Sequence, residues 1–209
     1  MNKKTKKYLF FILIIFSAFI FTACNFNNSE NPVADYITYD DLPDDYSLEN
    51  AKADNCVVYE DSNITAGQLI WDEFLSQTEK NKSSFVRLAF YYTIGDPESY
   101  DPEYYEEIKD DYPVLYIQDL KFDGKKYILT WTESDPETGE EKKYSFTYKY
   151  LKKFMEDPPN DTSTFVQYTY YALLNDDTVT AEQIRKGMFS SKFGDLIDHK
   201  KVYSKYEYK

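Results

Sequence analysis

The run VLYIQDLKF-DG-KKYILTWTE, residues 114–133, constrains the fold of this chain more than any other stretch. Asp123-Gly124 sits between two segments rich in β-branched and aromatic residues. Such a pair is the strongest short hairpin signal, because the turn needs positive φ angles that these residues tolerate. A two-stranded hairpin is at best marginally stable in water, so neighbouring segments must supply more strands and a cover. DPETGEEK, from Asp135, turns the chain into KYSFTYKYLKKF. There Tyr144, Phe146, Tyr148 and Tyr150 alternate with Ser145, Thr147 and Lys149. Period two predicts one aromatic face and one wet face. NCVVYE (55–60), SSFVRLAFYYTIG (83–95) and TFVQYTYYALL (164–174) read as further strands by composition and by the breakers that bound them.

Two segments read as amphipathic helices. In SNITAGQLIWDEFLSQTEKNK (62–82), Thr65 and Gln68 have capping-box spacing and Ile64 can staple to Leu69. Ala66, Ile70 and Phe74 recur at helical spacing, flanked by Leu69, Trp71 and Leu75, with Asp72, Glu73, Gln77 and Lys80 facing water. TVTAEQIRKGMF (178–189) has the same start: Thr180 pairs with Gln183, and Val179 can staple to Ile184. A shorter helix is predicted in PEYYEEIKDDY, with Pro102 in its first turn. Leu196 and Ile197 are expected against the core, and the tyrosine-rich tail either frays or adds an edge strand. Together these predict an α+β fold, with a mainly antiparallel sheet of about five or six strands. Two or three helices, those at about 65–80 and 180–190 among them, are expected on one face.

The chain opens with Lys3, Lys4, Lys6 and Lys7, followed by 16 uncharged residues, YLFFILIIFSAFIFTA (8–23). A basic start, an apolar middle and small residues before a cut site are the parts of a secretory signal. The apolar run falls short of the roughly 20 residues that span a bilayer. Phe21-Thr22-Ala23-Cys24 resembles the lipobox of bacterial lipoproteins, departing from it at Phe21, where leucine is usual. That resemblance implies cleavage before Cys24 and attachment of a diacylglyceryl group to its thiol, usually with a further acyl chain on its amine. Two or more acyl chains anchor stably where one does not. The expected organisation is a signal peptide over 1–23, a lipidated N-terminus and acidic tether over 24–52, and one globular domain over 53–209, on the outer face of a bacterial membrane.

Composition narrows the partners. Without the four leading lysines, 20 basic side chains remain of the 24, against 37 acidic ones, and the cut chain carries −17. Nucleic acid is excluded as a partner, because its phosphates need a basic footprint. A basic protein or a cation is electrostatically favoured. With Cys24 lipidated, Cys56 has no partner for an internal disulfide, so the fold must rely on its core. Aromatic residues, 22 Tyr and 15 Phe among them, supply the material.

Catalytic signals are poor. Cys56 and the single histidine, His199, are the one Cys–His pair available, but Cys56 opens an apolar strand beside acids, which disfavours a thiolate. No G-x-S-x-G elbow, phosphate-cradling loop or D-x-D-x-D-G calcium loop occurs. One histidine and one thiol fall short of a zinc ligand set. Glu103, Glu106, Glu107, Asp110 and Asp111 cluster in a proline-flanked stretch that reads as a solvated face, although their number leaves a two-carboxylate glycosidase open by count. No cofactor and no metal are expected. Tyr144, Phe146, Tyr148 and Tyr150 are the candidate binding aromatics, suited to a wall or host glycan or to a protein surface. Their alternative role is packing under the helices.

The blocks CVVYEDSNITAGQLIWDEFL, VRLAFYYT, LYIQDLKFDGKKY and FGDLIDHKKVYS resemble small lipoproteins of Gram-positive gut bacteria and bacilli that carry a domain of unknown function. The resemblance spans most of 55–204. It implies the lipoprotein address and a single domain, and carries no catalytic residue onto this chain. The expected function is a non-catalytic, membrane-anchored binding or interaction module. Two alternatives stand beside it: a small envelope hydrolase using paired carboxylates, and a protective, immunity-type lipoprotein.

Overall fold

The computed structural model describes residues 42–135, 138–190 and 196–209. The expected signal segment, Cys24 and most of the tether lie outside the described residues. In chain order the elements are α1 (Leu48–Ala53), β1 (Val57–Glu60), β2 (Asn63–Ala66), α2 (Gln68–Glu79), β3 (Ser84–Tyr92), α3 (Pro102–Ile108), β4 (Val114–Phe122) and β5 (Tyr127–Ser134). There follow β6 (Glu141–Tyr148), β7 (Tyr150–Glu156), β8 (Phe165–Leu174), α4 (Ala181–Phe189) and β9 (His199–Tyr208). The architecture is α+β, as the alternation of patterns predicts. A six-stranded sheet runs β2-β1-β3-β4-β5-β6, and a three-stranded sheet runs β7-β8-β9. Every pair is antiparallel except β1 and β3. A parallel pair needs a crossover, which β2 and α2 provide.

The Asp123-Gly124 hairpin forms between β4 and β5, but through four residues, since Phe122 pairs with Tyr127. Asp123 explains the extra length: its carboxylate accepts from the backbone N–H of both Lys125 and Lys126, each at 2.8 Å. Gly124 takes φ +97°. The side-chain bonds close an Asx-type turn in place of the tighter two-residue form.

Alternation along the large sheet builds two apolar layers. On one face Val57, Val86, Leu88, Leu120 and Leu129 meet Trp71 and Phe74 of α2. Both α2 residues are fully buried, and each such side chain removed from water contributes on the order of 2–3 kcal/mol. Trp71 stacks flat on Tyr203 of β9 with ring centroids 4.5 Å apart, and meets Tyr171 of β8 edge-on at 5.3 Å. The smaller sheet thereby closes the main core. On the opposite face Cys56, Val58, Ala89 and Ile117 pack beneath Ala51 of α1. Arg87 and Asp119, paired across β3 and β4 in register, form a buried bidentate ion pair at 2.7 and 2.9 Å.

The start of α2 differs from its sequence expectation. Thr65 lies in β2, not at a helix N-cap, and its hydroxyl donates to Glu60 at 2.6 Å. The N-cap is Gly67, in the left-handed region at φ +80° with no side-chain cap. Leu69, the proposed staple partner, is 80% exposed. The second helix start holds as expected. Thr180 and Gln183 bond reciprocally, and Val179 and Ile184 are buried in one cluster. The two helices divide between the sheets: α2 lies on the large sheet, α4 on the outer face of the small one. The C-terminal tail adds a strand, β9. Ile197 packs on the cluster under α4, whereas Leu196 is half exposed.

Candidate functional site

The aromatic quartet of 144–150 is divided by a break at Lys149. Tyr144 and Phe146 each stack on Trp131 with ring centroids 5.3 Å apart. Tyr148 is buried in the main core, and Tyr150 opens β7 in the other sheet. Period two runs across a sheet boundary here, and β6 ends two residues before the pattern does. Phe146 and Tyr150 remain partly exposed, at 46% and 38%, but on different sheets.

Cys56 is buried, and burial pushes its thiol pKa up to about 11. Its sulfur lies 3.6 Å from the Tyr46 hydroxyl. His199 opens β9 in the other sheet, with Nδ1 at 2.8 Å from the Ile197 carbonyl. Cys56 belongs to the cluster under α1 and His199 lines a cleft beside α4, and the two make no dyad. Glu103, Glu106, Glu107, Asp110 and Asp111 are exposed on α3 and the turn that follows it, with Lys109 bonded to Glu106 at 2.6 Å. Among the described residues no group of three or more His, Cys, Asp and Glu side chains is placed to hold a metal ion.

The structure assembles a different aromatic feature on the outer face of the small sheet. Tyr206 of β9 stacks on its cross-strand partner Tyr168 at 4.5 Å. Tyr168 stacks on Tyr170 at 5.4 Å, and Tyr170 on Phe154 of β7 at 5.1 Å. The rings cover one another's faces, so the ladder presents ring edges and phenol groups. Burial raises the pKa of Tyr170 and of Tyr206, keeping both phenols protonated at neutral pH.

α4 packs against the Phe154 and Tyr170 end of this ladder, with Tyr168 partly buried beside it. Its position is fixed locally. Lys152 of β7 donates to the carbonyls of Asp177 and Val179 just before the helix. Asp176 accepts from the Thr178 backbone and hydroxyl at 2.8 and 2.7 Å, and the Thr180–Gln183 box starts the first turn. The helix ends with Met188 and Phe189 exposed to 66% and 83%. Between that end and the ladder lies a cleft of about 310 Å³, at the lower end of the range for small-ligand sites.

Three charged groups line the cleft. Glu156 accepts from the Tyr170 hydroxyl at 3.2 Å. Arg185 stands 4.0 Å from Glu156, too long for a strong hydrogen bond. Lys201 donates to the Tyr168 hydroxyl at 2.8 Å. A wider groove of about 600 Å³ lies between β2 and the end of β9, lined by Lys52, Lys205, Leu69 and Tyr208; there Lys52 is already paired with Glu60 at 2.8 Å.

Sequence reasoning passed over these residues. Tyr168 and Tyr170 alternate within TFVQYTYYALL as plainly as the 144–150 quartet does. Their union with Tyr206, Arg185 and Lys201 depends on the β8–β9 register, which shifts at Tyr171/Ala172. No family model, curated protein or solved structure matches the chain.

Proposed function

We propose that this chain is a lipid-anchored, extracytoplasmic binding module that holds its ligand in the tyrosine-lined cleft beside α4. The observation that carries the reading is the pair Met188 and Phe189, left in water at the rim of a concave, aromatic-floored site. Large apolar side chains exposed together beside a cleft mark binding surfaces. The cleft contains one carboxylate, Glu156, already engaged by Tyr170, and two-acid hydrolysis needs a facing pair. A non-catalytic role is therefore favoured over an envelope hydrolase.

The address rests on the sequence: four lysines, 16 uncharged residues and Cys24 in a lipobox-like tetrapeptide. The relation to small Gram-positive lipoproteins belongs to the same proposal. Partners in reach of such an anchor are wall or host glycans and exported proteins.

The test uses the full chain, purified in detergent and immobilised, against envelope extract and isolated wall glycan at low and high salt. A Met188→Ser/Phe189→Ser double variant serves as the comparison. The expected result is a retained component that the variant loses while its thermal melting is unchanged. Equal retention by the variant would move the site elsewhere. Palmitate incorporation that persists in Cys24→Ala would overturn the anchor.

A further inference from the structure

We infer that the cleft recognises the free carboxylate of a peptide ending in an apolar residue. The inference rests on the binding-module reading and names the ligand class of that same site.

Electrostatics gives the sign of the ligand. The chain as a whole carries −13, yet Arg185 and Lys201 face Glu156 alone in this cleft, a local excess of positive charge. Among the described residues no carboxylate comes within 4 Å of Lys201, and its ammonium donates to a neutral phenol. An ammonium has three N–H donors, so two remain for a ligand. Arg185 carries five donors and, among the described residues, makes only the long contact to Glu156. The Tyr168 hydroxyl, which accepts from Lys201, keeps its own hydrogen to donate. In a ladder stacked face to face, the accessible ring edges are the positive part of the aromatic quadrupole and suit an anionic oxygen.

The opposite wall gives the body of the ligand. Ile184 is buried at its base, and Met188 and Phe189 stand above it. Methionine adapts to varied apolar shapes, which fits a site selecting an apolar side chain without demanding one contour. About 310 Å³ accommodates a terminal residue and little more. A saccharide is the less favoured occupant, because flat stacking on the floor is blocked where each ring already covers its neighbour.

The experiment measures fluorescence polarisation of a labelled pentapeptide ending in leucine, as free acid and as C-terminal amide, with the full chain in detergent. The acid should bind about tenfold or more tightly than the amide, the size of one charge-assisted hydrogen bond. Raised salt should narrow that gap. Lys201→Gln and Arg185→Gln, both at exposed positions, should each remove most of the preference with unchanged melting temperature. Acid and amide binding equally would overturn the carboxylate inference and leave the module reading intact. Binding by neither peptide, with wall glycan still retained by the cleft, would replace the ligand class. Binding by neither, with nothing retained from the envelope, would remove both readings.

Discussion

Two segments of this chain begin alike and fold differently. Ile64-Thr65-Ala66-Gly67-Gln68 and Val179-Thr180-Ala181-Glu182-Gln183 share an apolar residue, Thr-Ala and a glutamine at the same spacing. In the second, Thr180 caps α4 and Gln183 bonds back to it. In the first, the chain stays extended through Ala66, pairs with β1, and enters α2 only after Gly67. The residue between Ala and Gln separates them. Glu182 is compatible with a helical first turn, whose positive dipole end favours an acid. Gly67 instead turns left-handed and brings its Cα against β1. A Cβ there would lie 2.2 Å from the Cys56 carbonyl oxygen and 2.6 Å from the Val57 Cα. A capping motif is thus a local offer that an adjacent strand can outbid, and glycine at its third position lets the strand win.

If Gly67 is what separates the segments, Gly67→Ala should carry the largest penalty. Left-handed backbone strain and the clash with β1 together should cost about 3 kcal/mol or more, read from urea unfolding. Glu182→Ala should stay within about 0.5 kcal/mol, as exposed substitutions usually do. Comparable losses at the two positions would refute this account of α2.

Cys56 reports on the same junction. Its thiol is buried beside the Gly67 contact, with a pKa pushed up to about 11. It should resist a thiol reagent at about pH 8 until the protein unfolds, because the thiolate is the reactive form. Gly67→Ala should speed labelling several-fold. Prompt labelling of the unaltered protein would contradict the packing described.

Thr→Val keeps β-branching and removes only the hydroxyl. At Thr180 it should cost about 1 kcal/mol through the lost cap. At Thr65, exposed in a strand and bonded only to Glu60, it should cost less than about 0.5 kcal/mol. Equal costs would mean that Thr65 caps α2 in solution.

The smallest effect is in acid. The hydrogen bond from Lys52, and after it that from Thr65, holds the Glu60 carboxyl below its ordinary value of 4.5. The stability this adds is present above that value and is lost as pH falls through the lower folded-state value. Thr65→Val should therefore show a smaller drop in melting temperature between about pH 6 and pH 3 than the parent chain. An unchanged drop would separate Thr65 from that network.

The aromatic surfaces teach the same lesson as the helix starts. Tyr144, Phe146 and Tyr148 share a face within β6, as period two requires. The sheet boundary at Lys149 then removes Tyr150 from the set. Alternation describes a strand and is silent on where one sheet stops. The cleft was legible only in its parts. Tyr168 and Tyr170 alternate visibly, and Met188 and Phe189 end a periodic helix, but nothing local says that Tyr206 stacks on Tyr168 or that Lys201 joins them.

Local chemistry in the sequence by itself determined the strands other than β2, β9 and the break between β6 and β7, together with the Asp123-Gly124 hairpin, the cap of α4 and the α+β class, because propensity, turn geometry and hydrophobic period act over a few residues. Tertiary structure alone decided that the nine strands among the described residues form two sheets, that α2 begins after a glycine pressed against β1, and that Arg185, Lys201 and the tyrosine ladder share one cleft. Those outcomes depend on contacts between residues far apart in the chain, whose registry is set by packing the whole core and leaves no periodic trace in any one segment.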